Sequence, residues 1–253
     1  MTAPDWKALD DFAAGIDGNR LPSTDALAGT SFGVSGQLRL DFRTADQVEW
    51  QCADGSRGTD WYEAVEVRPD VQYLTITDAA HPLRARVLIV HWGTGHTLTI
   101  TSTIADEPTP GRPRVDQTFS TGTIYGIEVI GSPPAPTRDL IGLRALYRYS
   151  PNHLYEHVYL SSERYAWQCL VGEQRGHGDV DLASTWRLAE NLYVFTFREF
   201  LIPVAATWLY DLDALRTTGT FFGLGADDKV RVAPGGAHIS VLGRASYPDE
   251  QPV

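Results

Sequence analysis

From Gly29 onward, polar and apolar residues alternate with a period of two, interrupted every few residues by Gly, Asp or Pro. Leu38-Arg39-Leu40-Asp41-Phe42, Val48-Glu49-Trp50-Gln51-Cys52, Tyr62 to Glu66, Tyr73 to Thr77, Arg86 to Trp92 and Thr97 to Ile104 each read as a short strand, and their even spacing predicts an antiparallel meander. The second half repeats the scheme with more aromatics: Tyr147-Arg148-Tyr149, Leu154 to Leu160, Tyr165 to Leu170, Ala183 to Leu188, Leu192 to Glu199, Ala205 to Asp211, Gly219 to Gly223 and His238 to Ser246. Helical spacing is strong in one stretch only, where Trp6, Leu9, Phe12, Ala13 and Ile16 fall on one side, with Asp5 as the expected cap and Asp17-Gly18-Asn19 as the stop. Many short strands with one short N-terminal helix predict an all-β chain, either closed barrel or sandwich. A barrel of about eight strands can hold one small ligand, which makes its inward side chains the place to look for chemistry.

The pattern occurs twice. Trp50-Gln51-Cys52 is matched by Trp167-Gln168-Cys169, and Gly55 by Gly172, each 117 positions on; one inserted residue later Arg57-Gly58 meets Arg175-Gly176. The strand-like runs Val71 to Thr77 and Asn191 to Phe197 follow in step. A period this long is the size of a small domain, not of a solenoid repeat. The proline-rich run Ile130-Gly131-Ser132-Pro133-Pro134-Ala135-Pro136 is the expected linker. These signals divide the chain into a lead-in with the helix (1–24), a first barrel (25–132) and a second (133–253).

Charge narrows the partners. Lys plus Arg total 21 against 32 Asp plus Glu, a formal charge of −11, which argues against nucleic acid or an anionic membrane surface. No apolar run approaches a membrane span, and the first residues lack the pattern of a secretory leader, so a cytoplasmic protein is expected. Cys52 and Cys169 hold equivalent positions in the two repeats and are expected as free thiols. His153 and His157 lack a third ligand of suitable spacing, and Gly223-Leu224-Gly225 lacks a dinucleotide-loop context; neither a metal nor an organic cofactor is expected.

Tyr147 and Tyr149 project from one face of a strand, as do Tyr155, His157 and Tyr159 on the next. If those faces point inward, phenol donors line a dry pocket and can stabilise an oxyanion, and Glu199, beside Tyr193, Phe195 and Phe197, would be a carboxyl raised by desolvation toward general-acid duty. The plainer alternative makes these tyrosines barrel core.

The chain resembles the MoaF family (molybdenum cofactor biosynthesis protein F) in Asn19-Arg20-Leu21-Pro22, Leu27-Ala28-Gly29, Tyr155-Glu156-His157-Val158-Tyr159-Leu160, Tyr165-Ala166-Trp167-Gln168-Cys169-Leu170 and Arg216-Thr217-Thr218-Gly219-Thr220-Phe221-Phe222-Gly223. That likeness implies two tandem calycin-like (lipocalin-type) barrels. The second half is also similar, more distantly, to phenolic acid decarboxylases. That similarity implies catalytic roles for Tyr147, Tyr149 and Glu199, and places His177, with Arg175 two residues before it, where those enzymes carry an arginine. The resulting expectation is a cofactor-independent acid/base lyase whose second barrel binds a small aromatic or phenolic compound. Tyr155, His157, Tyr159, Trp167, Arg175 and His177 are its binding residues. Two alternatives stand beside it: a non-catalytic accessory protein of molybdenum cofactor metabolism, and an isomerase, hydratase or cyclase using the same pocket. The decarboxylases' pairing of single barrels implies either an internal pseudo-dimer in a monomeric chain or a homodimer.

Overall fold

The computed structural model describes residues 6–36, 38–247, 250 and 252. In chain order its elements are α1 (Leu9–Phe12), β1 (Ser23–Thr24), β2 (Ser31–Val34), β3 (Leu38–Phe42), β4 (Gln47–Cys52), β5 (Arg57–Arg68), β6 (Val71–Thr77), β7 (Arg84–His91), β8 (His96–Ile104) and β9 (Val115–Thr123), then β10 (Ala135–Pro136), β11 (Leu143–Ser150), β12 (His153–Tyr159), β13 (Arg164–Val171), β14 (Gly178–Ala189), β15 (Leu192–Arg198), β16 (Val204–Asp211), β17 (Arg216–Leu224) and β18 (Val230–Arg244). The chain divides into two compact units, one of residues 21–103 and 117–134, the other of 1–20, 104–116 and 135–253.

In the first unit β2 to β9 pair in sequence order, β1 flanks β5, and a bridge between Val34 and Ile124 ties the last strand back to the first. The second unit is a barrel in which β11 to β18 meet all round: β11 pairs with both β12 and β18, and β14 with β15, while β10 flanks β14. Antiparallel alternation sends one face of each strand inward, so the barrel closes on an aromatic core that includes Tyr147, Tyr159, Tyr165, Phe195, Trp208 and Tyr210, all 2% exposed or less.

The duplication is written in the hydrogen-bond register. Leu38 faces Cys52 and Phe42 faces Val48; 117 positions on, Tyr155 faces Cys169 and Tyr159 faces Tyr165. Tyr62 faces Ile76 and Ala64 faces Leu74; 121 positions on, Ala183 faces Phe197 and Thr185 faces Phe195. Even the irregularity repeats, between Glu66 and Arg68 in one ladder and Arg187 and Ala189 in the other. A one-residue slip would turn every side chain to the opposite face, so register shared at this level fixes which residues of the two barrels correspond.

The helix departs from expectation. Its regular part is four residues long, the flanking residue is Ala8 with no side-chain cap, and Gly15 at φ +79° turns the chain where the apolar spacing continues. Asp5, the expected cap, lies outside the described residues. α1 also joins the barrel farther along the chain, since Leu9, Phe12 and Ile16 are part of the core of the second unit. Asn19 fixes the end of this segment: its N–H donates to Tyr149 O (2.8 Å), its amide to Arg148 O (2.9 Å), and its carbonyl accepts from Arg216 (2.6 Å). Gly236 is required there, because a Cβ would stand 2.6 Å from Arg20 Cα.

Candidate functional site

The second barrel encloses a small cavity lined by Tyr149, Tyr155, His157, Tyr165, Trp167, Gln174, Phe197, Glu199 and Phe221, with Phe12 and Ile16 of the α1 segment in its wall. Its free volume is about 20 Å³. That is room for one water at most. The Phe12 ring meets Phe221 edge to face at 5.4 Å, so the α1 segment contributes an aromatic group to the cavity. Asp10 on the outer side of α1 pairs with Arg231 (2.8 Å), which also bonds Asp227 (2.9 Å).

Glu199 follows the last residue of β15 and is 6% exposed. Its backbone N–H donates to Val204 O (2.9 Å), which extends the β15–β16 ladder by one residue, and the alternation that sends Tyr193, Phe195 and Phe197 inward carries the carboxyl into the cavity. Burial, assisted by the charges of Asp181 and Asp179, holds it well above the usual carboxylate range. No ion pair reaches it among the described residues.

Asp181 occupies an inward position of β14. It accepts hydrogen bonds from Trp167 Nε1 (2.8 Å) and from the backbone N–H of Phe200 (3.2 Å), yet burial still pushes it up to about 6. The first barrel has the same device: Asp60 accepts from Trp50 Nε1 (2.6 Å) and Ala79 N (2.6 Å). The register therefore places Asp78 where the second barrel has Glu199, and the two carboxyls have opposite surroundings. Burial would raise Asp78, but hydrogen bonds from Arg84 (2.7 Å) and His81 and the charges of Arg86 and Arg84 outweigh it and hold it below its ordinary value. One position thus carries an ion-paired carboxylate in one barrel and a carboxyl without a cation in the other.

The sequence-derived residues separate into three groups. Tyr149, Tyr155, His157, Trp167 and Glu199 line the cavity. Tyr147 and Tyr159 lie behind it: the Tyr147 and Tyr159 hydroxyls are 2.6 Å apart, and Tyr159 donates to Tyr210 (2.9 Å), a closed chain of phenols that burial keeps protonated. Arg175 is exposed, and His177 packs at a tilt against Trp6 with ring centres 5.1 Å apart, outside the cavity. The turn between β13 and β14 delivers Gln174 instead. It is 2% exposed, and its Oε1 accepts from Tyr155 OH (2.9 Å). Gln174, Asp181 and Tyr165 were not singled out by the sequence; a usable signal for Asp181 was a carboxyl on the inward register of a strand, beside Ala183 and opposite Tyr165.

His157 is fully enclosed by Tyr147, Tyr165 and Phe195, and desolvation lowers its pKa to about 3, so it is neutral. Its Nδ1 and the Nε2 of Gln174 are buried without a hydrogen-bond partner. Cys52 and Cys169 are free thiols. Among the described residues no group of His, Cys, Asp or Glu could hold a metal ion, and no helix is long and apolar enough to cross a membrane.

Residues 4–106 match the model of the MoaF N-terminal domain and residues 134–245 that of the MoaF C-terminal domain. Protein MoaF of Klebsiella aerogenes is 31% identical over 224 residues, spanning 83% of this chain and 84% of that protein. Among solved structures, one from Burkholderia vietnamiensis named as a candidate beta-lactamase matches at 12% identity and a TM-score of 0.35, covering 41% of this chain and 95% of that one. With both halves matched by paired domain models and a relative above 30% identity matched over most of its length, the chain belongs to the MoaF family.

Proposed function

We propose that the second barrel is a small-molecule site in which Glu199, protonated at neutral pH, transfers a proton to a small aromatic ligand, without metal or organic cofactor. The observation that carries this reading is the contrast between Glu199 and Asp78: a fold that can neutralise a carboxylate at this position with two arginines leaves the second one dry and unpaired. Burying a carboxyl without a cation costs stability, and strain of that kind is concentrated at working sites. The carboxyl stands among Tyr155, Tyr165 and Trp167, which supply ring faces and hydroxyls to a planar ligand.

Several reaction classes fit such an acid, namely isomerisation, hydration and its reverse, and lyase chemistry. Decarboxylation asks for a group to hold the substrate carboxylate, and Arg175 does not reach the cavity. A single aromatic ring needs on the order of 150 Å³. Entry therefore requires the Phe12 ring to leave, by a shift of the α1 segment. The test is to compare wild type and the full-length Phe12→Ala variant for binding of phenols, hydroxycinnamates and other small aromatics, followed by product analysis. Binding with turnover that Glu199→Gln abolishes supports the reading. Binding without turnover by any of the proteins points to a carrier. Absence of binding to Phe12→Ala refutes a ligand site.

A further inference from the structure

The polarity of the cavity wall specifies the charge of the ligand, granted the ligand site proposed above. None of the described residues lining the cavity is Lys or Arg. The charged groups that act on Glu199 are carboxyls, Asp181 and Asp179 on β14; Arg164, at the start of β13, acts on Asp181 from outside, packed over the Phe200 ring and not part of the cavity wall. His157 on β12 is neutral, and Tyr149 and Tyr165 remain phenols because burial raises both. An anion placed here would meet acidic groups and no cation in the cavity wall.

The unpartnered atoms refine this. Gln174 has spent its carbonyl oxygen on the Tyr155 hydroxyl, so what it holds toward the cavity is an N–H donor with no acceptor. His157 Nδ1 is likewise unpartnered, and a buried polar atom without a partner costs about as much as a lost hydrogen bond. Glu199, whose carboxyl burial holds well above the usual carboxylate range, adds an O–H donor and a carbonyl oxygen when it carries its proton. The Phe221 ring packs against the Phe12 side chain, and the rings of Tyr155 and Trp167 line the same cavity.

We propose that this cavity takes an uncharged, planar aromatic ligand whose carbonyl or ring-nitrogen acceptor meets the Gln174 amide and the Glu199 carboxyl, with its ring where the Phe12 ring now lies. Charge, not size, is then the first filter for ligands.

The experiment uses four single-ring probes of similar size: benzamide (neutral, with an acceptor), toluene (neutral, without one), benzoate (anion) and benzylamine (cation). Their affinities are measured by calorimetry at pH 7 on full-length wild type and Phe12→Ala. Benzamide is expected to bind Phe12→Ala at least about tenfold more tightly than the other three, and Gln174→Leu in that background to lower benzamide affinity about tenfold while leaving toluene unchanged. Benzoate or benzylamine binding as tightly as benzamide would overturn the charge filter while leaving the site in place, and toluene doing so, or an unchanged benzamide affinity in Gln174→Leu, would overturn the acceptor contact. Failure of all four to bind Phe12→Ala at millimolar concentration would overturn the ligand site itself, and this inference with it.

Discussion

Replacing Asp181 by Asn tests the electrostatics of the second barrel most cleanly. Asp181 is 1% exposed, and burial raises it from 3.8 to about 6. The folded chain therefore keeps a proton that the unfolded chain releases between those two values. A group with a raised folded pKa costs stability as pH rises through that window: nothing is lost below the unfolded value, and the full loss, about 3 kcal/mol, is present above the folded one. The variant lacks this slope. It also loses one acceptor, since the two oxygens take Trp167 Nε1 and Phe200 N, at a cost of about 1 kcal/mol that does not vary with pH. Urea unfolding followed by circular dichroism from pH 4 to 7.5 gives both curves, and because the first barrel is unchanged its contribution cancels in the difference. Stability of the variant minus that of wild type should climb by about 2.4 kcal/mol between pH 4 and 7, because part of the loss is already present at pH 4. A flat difference would refute the argument that Asp181 is held in a low-dielectric site.

Four further outcomes follow. Glu199→Gln should remove a further loss of wild-type stability as pH rises, because the folded carboxyl ionises well above its ordinary value; the two pH–stability curves, taken to pH 9, check it. Arg84→Ala acts in the opposite sense: Asp78 is held low, so the stability it supplies is present above about pH 4 and lost as pH falls through its lowered folded value, and the variant should lose about 1–3 kcal/mol at pH 7 and progressively less in acid. Tyr147→Phe should cost about 1 kcal/mol by breaking the phenol chain yet leave ligand affinity unchanged, since Tyr147 lies behind the cavity wall. Phe12→Ala should lower stability by about 3–5 kcal/mol through lost burial, and a ligand that fills the space should restore part of it in a thermal-shift series.

Much of this was legible in the chain. Alternation located the strands, and the Trp-Gln-Cys recurrence gave the duplication, because hydrophobic period and register are local consequences of pleat geometry. The inward set Tyr149, Tyr155, His157 and Trp167, with Glu199 at a strand end, followed from the same parity. Three things were not readable. The docking of α1 on the second barrel depends on contacts more than a hundred residues apart, such as Asn19 with Arg148, for which an amphipathic helix names no partner. Counting through the turn from Gly172 to His177 missed Gln174, because parity fails once strand geometry is lost. The Trp–Asp pairs were obscured by unequal spacing, Asp60 following Trp50 by ten residues and Asp181 following Trp167 by fourteen, although they occupy the same place in the two barrels.

The protonation state of Glu199 is the measurement on which the functional account turns. An infrared difference spectrum between wild type and Glu199→Gln at pH 7 should contain the carbonyl stretch of a protonated carboxylic acid in the wild type, lost in the variant, and retained until the pH is raised well above the ordinary carboxylate range. A difference spectrum containing only the bands of an ionised carboxylate at pH 7 would contradict the account, because Glu199 would then have no proton to give.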